Sequence, residues 1–495
     1  MEEREHPHEF AGSGTTVNLS LVSHTNAGKT TLARTLLGRD VGEVRDAAHV
    51  TDLATGYVLV QQGEDTLMLW DTPGFGDTAR LLSRLRHAGN PIGWFLNQVW
   101  DRWRERPLWS SQQAVRNARE NADVVLYLVN ASEDPAAAAY VPLEMEVLEW
   151  VGKPVVVLLN QLGPPRGDVS EEIYRWKGIG APGQVRAVLP LDAFARVWVQ
   201  EGALLDAVGP LLPPAKQAAM AGLRARWEEL VRSRFDSSMD VLAAYLATAA
   251  RDREPVADAS WQGKLAAALA GGGKGDAAAN AAMKTLGARL VDATAASTDA
   301  LIRLHNLSGK AARRVQERVA QDYAHSAKIT EGAAGALGGL FTGAISGLGA
   351  DLMAGGLTLG GGMIVGGILG ALGGTAAAKG INMARGEDGS SVGWAQDFYE
   401  RLVVTSLLRY LAVAHFGRGR GDWDEGEHPP HWTGVVEAEV AARREAYSSA
   451  RKAAIAGEEA EAEGRLAELL KETGLAVLAA LYPDAAIPGD SAGAA

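Results

Sequence analysis

The chain has 495 residues, 47% hydrophobic and 22% charged, with a formal net charge of -12 at pH 7. That length exceeds one ordinary core and predicts two or three domains, while the apolar share excludes a chain that is disordered throughout. Cysteine is absent, which excludes disulfides, thiol catalysis and cysteine-ligated zinc, and the acidic balance argues against nucleic acid as the primary partner.

Residues 1–14 are polar and acidic and read as a flexible N-terminus. They lack the basic and apolar regions of a signal peptide. Residues 15–213 alternate short apolar runs with helical stretches, which predicts an α/β domain with a mostly parallel sheet. The expected strands are Thr16–Leu21, Tyr57–Gln61, Leu67–Trp70, Val124–Val129, Val155–Leu159 and Arg186–Leu189. From Ala215 onward the composition turns rich in Ala, Leu, Arg and Glu. It predicts an all-α region with helices near 215–252, 281–327, 392–416 and 433–473, and no strand. The remaining boundaries are a helical region 214–330, an apolar hairpin 331–380, a second helical region 381–483 and a tail 484–495.

After the first strand comes Ser23-His24-Thr25-Asn26-Ala27-Gly28-Lys29-Thr30. This fits the phosphate-loop pattern GxxxxGK[ST] at every position but the first, where Ser23 replaces Gly. A helix over Thr31–Leu37 is expected to follow. Successive backbone N–H groups at a helix N-terminus form a nest for phosphate, which enlists Ala27, Gly28 and Thr31 as binding residues. Lys29 supplies a point charge to the β- and γ-phosphates, and the Thr30 hydroxyl is placed to reach Mg²⁺. Farther on, Leu67–Trp70 ends in Asp71-Thr72-Pro73-Gly74, a DxxG motif. Its carboxylate suits Mg²⁺, and the Gly74 N–H suits the γ-phosphate, which makes the segment a switch. Thr51 stands twenty residues before Asp71, where a threonine closing over Mg²⁺ and γ-phosphate belongs; Thr55 is an alternative.

On Asn26-Ala27-Gly28-Lys29-Thr30, Thr51 and Asp71-Thr72-Pro73-Gly74, residues 15–210 resemble the Era- and TrmE-like bacterial GTPases. More narrowly, the chain resembles an uncharacterised bacterial family in which such a domain precedes a helical domain with a Gly-rich apolar stretch. The resemblance implies GTP as substrate, Mg²⁺ as cofactor, and catalytic roles for Lys29, Thr51 and Gly74. Phe75 occupies the position where Ras-like enzymes carry a water-orienting Gln. Several members of the Era-like class instead use K⁺ held partly by the Asn that Asn26 matches. Slow hydrolysis stimulated by K⁺ or by dimerisation is therefore expected.

The base-specificity motif NKxD is degraded to Asn160-Gln161-Leu162-Gly163. Asn160 is retained as a nucleotide-binding residue. Gly163 cannot accept the two hydrogen bonds that an Asp takes from guanine, so ATP remains an alternative to GTP.

Between Gly74 and Val124, near residues 80–120, an insertion carries Ile92, Phe95, Leu96, Val99, Trp100 and Trp103 on one helical face, with Arg102, Arg104 and Arg106 interleaved. Packing on its own domain or on the helical half, a nucleotide-sensitive contact, and an RNA or membrane surface are the readings it allows. Residues 332–350 and 352–378 are uncharged and separated by Asp351. Gly335, Gly339, Gly343 and Gly347, then Gly362, Gly366, Gly370 and Gly374, hold a four-residue spacing that lines one helix face. Such a pair fits a transmembrane hairpin packed through small residues, with basic flanks on the cytoplasmic side of the inner membrane. A buried hairpin in a soluble bundle or a flexible segment are the alternatives.

The functional expectation is a Mg²⁺-dependent GTP-hydrolysing switch on a membrane-associated helical domain. Its expected partners are GTP, membrane lipid and a nucleotide-dependent homodimer or an unidentified protein. A nucleotide-gated scaffold with negligible hydrolysis, or an Era-like ribosome-assembly factor, are the competing functions.

Overall fold

The structure is a computed structural model, and it describes residues 14–25, 27–38, 54–86, 106–135, 137–160, 169–191, 198–255, 277–307, 383–385, 391–415 and 431–483. The chain divides into two compact units, one made mainly of residues 1–232 and the other mainly of 233–414 and 430–481.

The first unit is an α/β domain. Its strands are β1 (Thr16–Val22), β2 (Thr55–Gln62), β3 (Asp65–Asp71), β4 (Val124–Asn130), β5 (Val155–Asn160) and β6 (Val185–Pro190). They form one sheet in the order β2-β3-β1-β4-β5-β6. Only β2 runs antiparallel to its neighbour, β3; every other pairing is parallel. The helices are α1 (Lys29–Leu37), α2 (Thr78–Leu85), α3 (Arg106–Glu120), α4 (Tyr140–Val151), α5 (Val169–Lys177) and α6 (Trp198–Val208).

The core follows from the strand sequences. Strand β5 is buried at all six positions and β4 at all but its last, as expected for parallel strands covered on both faces. In β1 the alternate residues Val17, Leu19 and Leu21 are fully buried. All six expected strands are present, each longer by one to three residues than its apolar run. The sheet also brings the carboxyl ends of β3, β1, β4 and β5 to one edge, which is where ligands bind in open α/β sheets.

Helix α7 (Pro214–Arg251) begins in the first unit and is anchored there. Lys216 Nζ donates to both Asp123 oxygens at 2.8 Å and to the Thr16 carbonyl at 2.7 Å, and Asp123 Oδ2 accepts from the Asn18 N–H at 2.8 Å.

The second unit contains the end of α7, α8 (Ala277–Leu304), α9 (Gln396–Ala414), α10 (His431–Ala442), α11 (Arg444–Ile455) and α12 (Glu459–Leu481). Its core is built from Leu242, Leu246, Leu290, Leu301, Leu402, Tyr410, Val436, Leu466 and Leu478, all buried. Three expectations are corrected here. The region holds a small antiparallel sheet, β7 (Arg253–Pro255), β9 (Ser391–Trp394) and β8 (Met383–Arg385), with β9 in the middle. Strands this short carry too few residues to show alternation. The helix expected through residue 327 stops at Leu304. Asn306 adopts φ 51, the Leu307 N–H reaches the Ile302 carbonyl at 2.9 Å, and the Asn306 N–H reaches Arg303 at 3.0 Å. That is the double-bonded helix stop that a left-handed residue permits. The single helix expected over 433–473 is three, with one break at Arg443 and another at Gly457, which has φ 92.

The apolar hairpin 331–380 and the insertion face from Ile92 to Trp103 lie outside the described residues. Among the described residues, no helix is long and apolar enough to cross a membrane.

Candidate functional site

The phosphate loop joins β1 to α1, and Gly28 stands at the helix entry with φ 91, a conformation that side chains resist. Lys29 is buried at the first position of the helix. Its Nζ donates to Ser23 Oγ at 2.8 Å and approaches the His24 carbonyl at 3.5 Å. Ser23 thus does more than tolerate the missing glycine: its buried hydroxyl holds the lysine ammonium and donates in turn to the His24 carbonyl at 2.6 Å. Burial lowers the Lys29 pKa to about 8, against the opposing pull of the Asp71 and Glu144 charges.

Strand β3 pairs with β1 so that Leu21 lies opposite Asp71. This register brings the DxxG carboxylate onto the phosphate loop: Thr30 Oγ1 donates to Asp71 Oδ2 at 2.7 Å. A hydroxyl and a carboxylate are hard oxygen donors. They fit Mg²⁺, which takes one or two protein oxygens and completes its shell with phosphate and water. Among the described residues no group of three or more His, Asp or Glu side chains gathers to hold a metal.

The residues after Asp71 are stitched to the loop. Thr72 Oγ1 donates to the Leu21 carbonyl at 2.6 Å. The Phe75 N–H donates to Ser23 at 2.9 Å, and the Phe75 carbonyl accepts from the Thr25 N–H at 3.1 Å and the Thr25 hydroxyl at 2.6 Å. The Phe75 ring itself is fully buried, so it serves the core. Gly74 lies so close that a Cβ there would meet Thr25 Cα at 2.8 Å and Lys29 Nζ at 3.1 Å.

Asn160 ends β5 and is fully buried. Its Nδ2 donates to the Ala27 carbonyl at 2.9 Å, so it braces the phosphate loop from behind. The structure therefore brings together Ala27, Gly28, Lys29, Thr30, Thr31, Asp71, Gly74 and Asn160. Asn26, Thr51 and Gln161 to Gly163 lie outside the described residues. Thr55, the alternative to Thr51, opens β2 opposite Asp71 in the β2–β3 register.

Sequence reasoning misses Ser23, His24 and Glu144 as contributors. Glu144 lies on α4, fully buried. It shares the helical stripe of Val141, Met145, Leu148 and Val151, which are also buried. An acidic residue at apolar spacing is the signal that marks it.

Residues 181–472, more than half of the chain, match the family described as a domain of unknown function, DUF3482. The chain belongs to that family. Residues 18–161 match the family described as 50S ribosome-binding GTPase. GTPase Der of Mycolicibacterium vanbaalenii is 26% identical over 204 residues, which is 41% of this chain and 36% of Der. Era of Aquifex aeolicus bound to GDP·AlF4− is 21% identical with a TM-score of 0.28, covering 40% of this chain and 57% of Era. Era in complex with MgGDPNP and a stretch of 16S ribosomal RNA is 19% identical with a TM-score of 0.29, covering 40% and 58%. The chain thus spans little more than half of those Era chains and about a third of Der. The N-terminal unit of this DUF3482 member is an Era/Der-type P-loop GTPase domain, and a helical region follows it.

Proposed function

We propose that the chain is a Mg²⁺-dependent GTP-binding and GTP-hydrolysing switch. The observation that carries this reading is the contact of Thr30 with Asp71 beside the buried Lys29. Lys29 supplies positive charge to the β- and γ-phosphates, and its bond to Ser23 holds it in place between turnovers. Thr30 and Asp71 are the residues that would hold Mg²⁺, which when bound neutralises charge on the phosphates. The Gly74 N–H follows the γ-phosphate, and the bonds between Phe75 and the loop carry any shift into α2.

Phe75 is buried and has no group to orient water, so transition-state charge must come from elsewhere. K⁺ held with the help of Asn26 fits that need, and Thr51 fits the closing switch threonine. A nucleotide-dependent homodimer is the natural way to stimulate such a site. Guanine selectivity rests on Asn160 without the usual Lys and Asp, so discrimination against ATP is weaker than in a complete motif. The glycine-spaced segment 332–378, whose single charge is Asp351, supports membrane association of the helical half, at the cytoplasmic face.

Competition of GTP, GDP and ATP against a fluorescent GDP analogue tests the binding half. The reading requires displacement by GTP and GDP in the wild type and no binding in Lys29→Ala. Displacement by ATP alone would reassign the nucleotide. Turnover in K⁺ and Na⁺ buffers tests the cation: equal rates would remove K⁺. Flotation with anionic vesicles, with and without residues 332–378, tests the membrane: equal flotation of both proteins would remove that part.

A further inference from the structure

The Glu144 carboxylate is fully buried beside the phosphate loop, yet it belongs to neither the phosphate nor the Mg²⁺ donors. Oε1 meets His24 Nδ1 at 2.7 Å and accepts from the Thr78 hydroxyl at 3.2 Å. Oε2 accepts from the Tyr127 hydroxyl at 2.8 Å. The His24 ring also stacks on Tyr140 at 4.4 Å between centroids. One carboxylate thereby joins three elements. His24 is the second residue of the phosphate loop, Thr78 is the first residue of α2 after the DxxG segment, and Tyr127 sits in the central strand β4.

Stability alone is a poor account of this group. A buried, networked charge is often replaced by apolar side chains of similar size without loss. What an apolar side chain could not do is tie the loop and the switch helix to a common rigid point. Tyr127 on β4 supplies that point, since β4 is buried along nearly its whole length. The two other partners are on the segments that respond to phosphate.

We propose that Glu144 is a positioning residue that couples the phosphate loop, through His24, to the switch helix α2, through Thr78. The inference rests on the GTPase reading above. The nucleotide state sensed at the loop reaches α2 through this carboxylate as well as through the Phe75 backbone. Removing either arm breaks the same tie.

The test uses the full chain with Thr78→Val, Thr78→Ser, His24→Leu and the double variant Thr78→Val/His24→Leu, alongside Glu144→Gln. Single-turnover GTP hydrolysis, affinity for a fluorescent GDP analogue and the thermal midpoint are read for each. Thr78→Val and His24→Leu should each slow hydrolysis about tenfold while GDP affinity stays within about threefold. The double variant should be no slower than the slower single, because each alone severs the coupling. Thr78→Ser keeps the hydroxyl and should stay within about twofold of wild type. Losses that multiply to about a hundredfold in the double variant would mean independent sites and overturn the proposal. So would equal losses in Thr78→Ser and Thr78→Val, or lowered midpoints with unchanged rates. If Glu144→Gln fails to fold, the comparison of Thr78→Val with Thr78→Ser decides between coupling and its absence. A wild-type chain that binds no guanine nucleotide would overturn the GTPase reading and this inference with it, a result distinct from unaltered rates in the variants.

Discussion

Replacing Gly74 with alanine should separate the DxxG segment from the phosphate loop. The new Cβ would fall 2.8 Å from Thr25 Cα and 3.1 Å from both the Thr25 nitrogen and Lys29 Nζ. Thr25 presents backbone there, which cannot rotate aside as a side chain would. The segments must move apart, and the Phe75 bonds to Ser23 and Thr25, at 2.9 and 3.1 Å, lengthen together. At about 1 kcal/mol for each weakened bond the cost is about 2 kcal/mol, which is in the usual range for overpacking. For a domain of this size that lowers the thermal midpoint by about 4–8 °C. GDP affinity should change by less than about threefold, while hydrolysis falls about a hundredfold as the N–H donor leaves the γ-phosphate. Differential scanning calorimetry and single-turnover hydrolysis read the two effects. A Gly74→Ala protein with the wild-type midpoint and rate would refute the close approach and the role of the Gly74 N–H alike.

Asp123→Ala removes the acceptor shared by Lys216 and the Asn18 N–H and should destabilise the first unit by about 2 kcal/mol, read by urea unfolding followed at the tryptophans. Arg409 is almost fully buried on α9, over the Tyr245 ring, with Nε and Nη2 lacking a hydrogen-bond partner among the described residues. Arg409→Met should therefore stay within about 1 kcal/mol of wild type, whereas Arg409→Ala should cost about 3 kcal/mol by leaving a cavity; equal losses in the two would contradict this. For pH, Lys29 titrates at about 8 when folded against 10.5 for an ordinary lysine. Between those values the unfolded chain holds the extra proton, so the nucleotide-free protein gains stability as pH rises through that window. Phosphate binding restores the charge, so binding at pH 9 should take up a proton. Calorimetry in two buffers of different ionisation enthalpy would then give different heats, and identical heats would refute the depressed value.

The α/β half was legible because its strands are continuous apolar runs and its two motifs sit at strand ends. Lys29, Thr30, Asp71 and Gly74 met as the motif spacing required. The partners of those residues were harder to see. Ser23 reads as a flaw in a glycine pattern until its hydroxyl is found on Lys29. Glu144 is one of three glutamates in α4, and only its place on the apolar stripe separates it from Glu146, which is paired to Arg86. In the helical half, composition placed the helix over 215–252 to within one residue and missed the stop at Leu304 and the breaks at Arg443 and Gly457. A left-handed Asn306 and a break at Arg443 depend on local backbone geometry that composition does not encode. The three short strands failed for a different reason: β7 and β8 are held in place by β9, a segment more than a hundred residues from β7.

Phosphate release from GTP by the full chain, with Mg²⁺ and K⁺ and with Lys29→Ala as the control, tests the central claim most directly. A GTP-hydrolysing switch requires catalytic turnover of GTP to GDP in the wild type and its loss in Lys29→Ala. Tight GTP binding without turnover under any cation, or equal release by both proteins, would contradict it.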